Sequence, residues 1–161
     1  MYVASAYAWV LGLHIAAVVI AFGWTFALPV AFILAGRQDP RSLPLLHRVE
    51  VTVERMILNP TLVVVLAAGI FLASDGHHWS EFFVQWGLGA VVVIGAVVGA
   101  VMIPAAKRAE ETITRDLEAY GGEGEFTPSA EYQATARRVN TVGSALSLLV
   151  IATVVIMAVK P

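Results

Sequence analysis

With no cysteine anywhere in its 161 residues, the chain offers no thiolate, disulfide or iron–sulfur ligand, so candidate chemistry falls to histidines, methionines and carboxylates. His14 is the most informative of these. It lies about seven residues into an apolar helix, within a run that carries no charge from Met1 to Gly36. At ~1.5 Å per residue it would sit roughly 10 Å below a membrane surface. An imidazole at that depth needs a partner, and ionisable groups inside membrane spans mark functional sites by default. One reading is a neutral histidine hydrogen-bonded to a neighbouring helix, to Thr153 or a backbone carbonyl. The other is a ligand site. Residues at comparable depth on the other helices are Ala68 and Gly69, Leu88 to Ala90, and Thr153 to Met157. Most are small enough to admit a flat ligand such as haem b, and Met157 is a candidate second axial ligand, since a His/Met pair is a known haem arrangement. Helix packing accounts for the same small residues without a ligand.

His77 and His78 stand together on a short loop beside Asp75 and Trp79, where neutral imidazoles could take copper or zinc. Adjacent side chains seldom converge on one ion, and Met56, Met102 and Met157 are spread over three helices. Glu50 and Glu54 share a helix face with Arg55 adjacent, a spacing that suits interfacial ion pairing or, more sharply, a proton or substrate contact. His47, among Arg48, Glu50, Glu54 and Arg55, is expected at the surface.

The elements that position these residues follow from composition. The chain is 58% hydrophobic and 14% charged with a mean hydropathy of +0.78, against a charged fraction of ~25% in soluble domains. Four apolar stretches are each long enough to cross a bilayer: about Tyr7 to Ile33, Met56 to Ser74 after a charged lead-in from Pro44, Phe82 to Ala106, and Asn140 to Val159. Backbone groups in lipid must bond internally, so the expected fold is all-α, a four-helix transmembrane bundle forming a single domain over residues 1–161. The first stretch lacks the basic start and short apolar core of a signal peptide and is expected to remain.

Arg37, Arg41, Arg48 and Arg55 fall in the first loop region, and Lys107, Arg108, Arg115, Arg137 and Arg138 in the third, nine of the ten basic residues. The positive-inside rule makes residues 37–55 and 107–138 cytoplasmic and both termini non-cytoplasmic, in an inner membrane. Tyr2, Tyr7, Trp9, Trp79 and Trp86 then gather at the opposite interface, as aromatic belts do. Helix three is expected to extend into the cytoplasm to Ala119 and stop at Gly121-Gly122, and Thr127-Pro128 to restart the chain as helical extensions of the bundle. Gly95 and Gly99, with Ala96 and Ala100 alongside, and Gly143 with Ser147 allow close helix contact, within the chain, in a homo-oligomer or in a larger membrane complex. Asn59-Pro60, Pro29 and Pro104 are expected to bend their helices. The net charge of −2 argues against nucleic acid.

Several polar positions, taken in order, resemble the copper-resistance-D-like superfamily of bacterial membrane proteins, which includes a haem-binding protoporphyrinogen oxidase and uncharacterised four-helix families. Leu13-His14 followed by Leu28-Pro29 is similar to that oxidase's first helix, and Glu50, Arg55, Asn59-Pro60 and Gly69 to its second. The resemblance implies His14 as a haem ligand. Val30 stands where the oxidase has an arginine, and Gln85 or Trp86 where it has a lysine. Both departures remove positive charge that could pair with porphyrin carboxylates, so the resemblance implies haem binding without that oxidase reaction. Three readings remain open: haem b at His14 with an electron-transfer or haem-related role, a non-enzymatic accessory subunit, or copper transport or resistance resting on the family analogy and His77-His78.

Overall fold

The computed structural model describes residues 5–121 and 125–160. Its helices are α1 (Ala6–Gln38), α2 (Leu43–Val53), α3 (Asn59–Asp75), α4 (Phe82–Val97), α5 (Ile103–Ala119) and α6 (Ala130–Val159). One-turn π-helical segments, Glu54–Leu58 and Val98–Met102, join α2 to α3 and α4 to α5. The result is four continuous rods, Ala6–Gln38, Pro40–Asp75, Phe82–Ala119 and Ala130–Val159, each long and apolar enough to cross a membrane. The chain is a multi-pass, all-α four-helix bundle, as composition required.

α1 lies along α3, α3 along α4, α4 along α6, and α6 returns to α1. This closes a four-sided bundle. α2, α5 and the start of α6 build the charged end. The membrane half presents Ile15, Val19, Val63, Val92, Leu148 and Val155 outward. Such a belt suits lipid, because tails are as apolar as the side chains they meet. The interior is formed by Ala21, Phe22, Leu58, Leu62, Ile94, Val98, Ala106 and Val150. At the charged end a second cluster joins Leu43, Ala109, Ile113 and Tyr132. Ala106, Ala109 and Ile113 are wholly buried, and the two alanines let α5 press closely onto α2.

Local chemistry sets the element ends. The Ser5 hydroxyl accepts from Ala8 N at α1, and the Ser129 hydroxyl accepts from Tyr132 N at α6. Both are N-caps that satisfy an orphan amide. α6 therefore starts at Ala130, two residues beyond the expected Thr127-Pro128 restart. Asp39 and Pro40 turn the chain from α1 into α2, with the Asp39 carboxylate accepting from Arg41 N at 3.1 Å. α5 stops at Ala119, and Gly122 and Tyr2 lie outside the described residues.

The prolines act in two ways. α1 runs through Pro29 without a break. Pro60 and Pro104 each follow directly on a π turn, in which Asn59 N donates to Glu54 O and Ile103 N to Val98 O, five residues back. A proline ring collides with the carbonyl four residues earlier and has no N–H to offer it. A wider turn just ahead relieves the collision, and π turns of this kind recur at functional sites.

Candidate functional site

In the membrane half, α1 carries His14 onto the face of α3. The ring lies against Gly69, where an added Cβ would stand 3.4 Å from His14 Cε1 and 3.9 Å from Nδ1. The Val65 backbone lies close enough to interact with the ring, in keeping with the expected backbone partner, although no hydrogen bond of good geometry reaches the buried His14 Nδ1. Thr153 is not that partner. Its hydroxyl accepts from Trp86 Nε1 at 3.1 Å and donates to Leu149 O. Met157, on α6, places its methyl where a Gly87 side chain would be. His14 and Met157 thus each occupy a glycine, on different seams: α1 with α3, and α4 with α6. If a haem is bound in this seam, His14 is the residue that would hold it, through an imidazole nitrogen shielded from water.

The short loop after α3 turns on His77, which takes a left-handed backbone at φ 57. His78 folds back over Gly76 and packs beside Phe83, 5.9 Å between ring centroids. Among the described residues no three His, Cys, Asp or Glu side chains are grouped to hold a metal ion.

Of the small-residue positions, a Cβ added at Gly95 would meet Leu62 Cδ1 at 3.9 Å and one at Gly143 would meet Met102 Cε at 3.7 Å. These are contacts within the bundle. Gly99 meets nothing within 4 Å, and Ala96 and Ala100 beside it are exposed. Asn59 is half-buried and Pro60 exposed at the start of α3.

The charged end departs most from expectation. His47 is 2% exposed and Glu50 2% exposed, so His47 is a core residue and its assignment to the surface is corrected. Its Nδ1 lies 3.2 Å from Glu50 Oε2, and its Nε2 lies 3.3 Å from the Tyr132 hydroxyl on α6. Phe32 of α1 packs against the ring at 4.6 Å between centroids. One turn on, Glu54 is 9% exposed, and its Oε2 is buried with no partner. Arg55, by contrast, is exposed.

A signal for this cluster exists in the sequence. Leu43, His47, Glu50, Val51, Glu54 and Leu58 recur at the 3.6-residue period of one helix face. The three polar members occupy positions at which that period requires burial. Their charged neighbours point outward instead: Arg48 pairs with Glu110 at 2.9 Å, and Arg108 and Arg115 both reach Glu131, at 3.0 and 2.8 Å. The expected solvated platform is this outer network, wrapped around a buried polar core. The chain matches no protein-family model, no curated protein and no solved structure.

Proposed function

We propose that the chain is a small protein of the bacterial cytoplasmic membrane that binds haem b through His14, in an electron-transfer or haem-related role. The observation that carries this reading is the His14 Nδ1 atom, buried in a membrane helix without a hydrogen-bond partner and seated against Gly69. A buried polar atom left unpaired costs about 1–3 kcal/mol. A ligand that bonds the ring removes that penalty. The similarity of Leu13-His14, Leu28-Pro29, Asn59-Pro60 and Gly69 to the copper-resistance-D-like superfamily supports the same reading. The excess of Lys and Arg at the end carrying residues 37–55 and 107–138 supports a cytoplasmic position for that end, with both termini on the far side. The copper reading draws on the resemblance and on the His77-His78 pair, which gathers no third donor among the described residues.

A second reading has its own observation. Ala96, Gly99 and Ala100 form an exposed stripe, and among the described residues nothing lies within 4 Å of a Cβ placed at Gly99; small-residue stripes of this kind seat neighbouring helices. It favours an accessory subunit of a larger complex or a homo-oligomer, and it is compatible with haem at His14.

The test is the absorption spectrum of detergent-purified protein, oxidised and then reduced with dithionite, after expression with ample haem supply. The expected result is a Soret band with sharp reduced α and β bands at near-stoichiometric haem, abolished in His14→Ala. A colourless wild-type protein, or an unchanged spectrum in His14→Ala, would overturn the proposal.

A further inference from the structure

The buried polar core at the charged end is separate from the His14 site and stands on its own observations. Two carboxyls, Glu50 and Glu54, lie one helical turn apart on the buried face of the second rod, on either side of the junction where α2 gives way to the π turn. Each is more than nine-tenths buried. Glu50 has a partner in His47. Glu54 Oε2 has none, and the charge close enough to act on Glu54 is that of Glu50.

Among the described residues the surroundings supply no cation. From α5 the facing residues are Ala106, Ala109, Ile113 and Thr112, and the Thr112 hydroxyl donates to Arg108 O. From α6 comes Tyr132, and from α1 Phe32. The positive side chains of this end, Arg37, Arg41, Arg48, Arg55, Lys107, Arg108, Arg115, Arg137 and Arg138, are all exposed. Two ionised carboxylates side by side, with neither a cation nor a donor for the second, are strongly disfavoured. A proton is the smallest ligand that resolves the conflict.

We infer that Glu50 and Glu54 form a proton-binding site inside the charged end of the bundle, reached through His47 and Tyr132. The path balances as a relay. Tyr132 donates its hydroxyl proton to His47 Nε2 while taking one from a hydronium ion, which is left as water. The His47 Nδ1 proton passes to Glu50 Oε2, and the pair holds one added proton. His47 remains neutral before and after, with its proton moved from one nitrogen to the other. The ring must then return to its first tautomer before a second proton can follow.

The experiment is infrared difference spectroscopy of the purified full chain in lipid nanodiscs, in H2O and D2O. The wild type should show, at neutral pH, the C=O band of a protonated carboxyl, with the deuterium shift of an exchangeable acid. Its absence would overturn the proposal without recourse to any variant. Glu54→Gln, close to isosteric, should remove the band, and His14→Ala should leave it intact. A band that persists in both Glu54→Gln and Glu50→Gln would belong to other carboxyls and overturn the assignment. Adding Na+ at fixed pH should leave the band unchanged, whereas its selective loss in Na+ would make the ligand a monovalent cation instead. Tyr132→Phe should keep the band and slow its exchange with D2O, and unchanged exchange would remove the path.

Discussion

The contact between His14 and Gly69 turns the haem proposal into a graded test. A Cβ on Gly69 would stand 3.4 Å from His14 Cε1 and 3.9 Å from Nδ1, both ordinary van der Waals separations. Gly69→Ala should therefore leave the ring in place. Alanine is better than glycine in a helix interior by ~0.8–1.0 kcal/mol, so this variant should be as stable as the wild type or slightly more stable. Gly69→Val adds two further carbons at a position whose Cβ already stands 3.4 Å from the ring. Overpacking of this kind costs about 1–3 kcal/mol. His14 is only half-buried, so the least costly relief is for the imidazole to swing off α3. If the whole penalty falls on ligand binding, haem affinity drops by roughly 5- to 150-fold, since ~1.4 kcal/mol is a factor of ten. The assay is titration of haem-free protein with haem, followed at the Soret band, beside thermal unfolding of the same samples. Equal affinity in the glycine and valine forms would refute the reasoning, as would loss of binding in the alanine form.

Two further outcomes concern the charged end. Ile113→Ala empties a site that is 0% exposed and should lower stability by about 2–5 kcal/mol, read from unfolding in mild detergent. His47→Ala should destabilise by about 3–5 kcal/mol, because it strands the Glu50 carboxyl and the Tyr132 hydroxyl inside the bundle, while the Soret band of the holoprotein should persist. A His47→Ala protein as stable as the wild type would show that the pair contributes nothing.

The four rods were legible because an apolar run of some twenty residues has few alternatives in lipid. His14 was legible for the same reason: a titratable group in an apolar helix stands out against its surroundings. His47 was not, since its neighbours Arg48, Glu50, Glu54 and Arg55 suggest a wet surface. Only the helical period separates the members that turn inward from those that turn outward. Glu50 and Arg55, five residues apart, fall on opposite sides of that division, one buried and one exposed. Met157 illustrates a different limit. Its depth was countable from the sequence, but which seam it fills depends on how α4 and α6 meet, and that is set by Gly87 and the Trp86 to Thr153 hydrogen bond. The π turns were visible only as prolines. Asn59-Pro60 and Pro104 announce an irregularity, whereas the same residue at Pro29 leaves α1 continuous.

The π turn from Glu54 to Leu58 accommodates one residue more than an α-helix would need over the same rise. The second rod therefore carries slack at the boundary between its charged and apolar halves. If that slack closed into regular α-helix, or migrated along the rod, one half would rotate against the other by about 100° and advance by about 1.5 Å. Tyr132 and the alanines of α5 hold the charged half from outside, and Gly69 beneath His14 holds the apolar half. Between these two grips Glu54 sits on the swivel itself, so a proton gained or lost there would act at one of the two π-turn joints between the halves, the other being Val98–Met102.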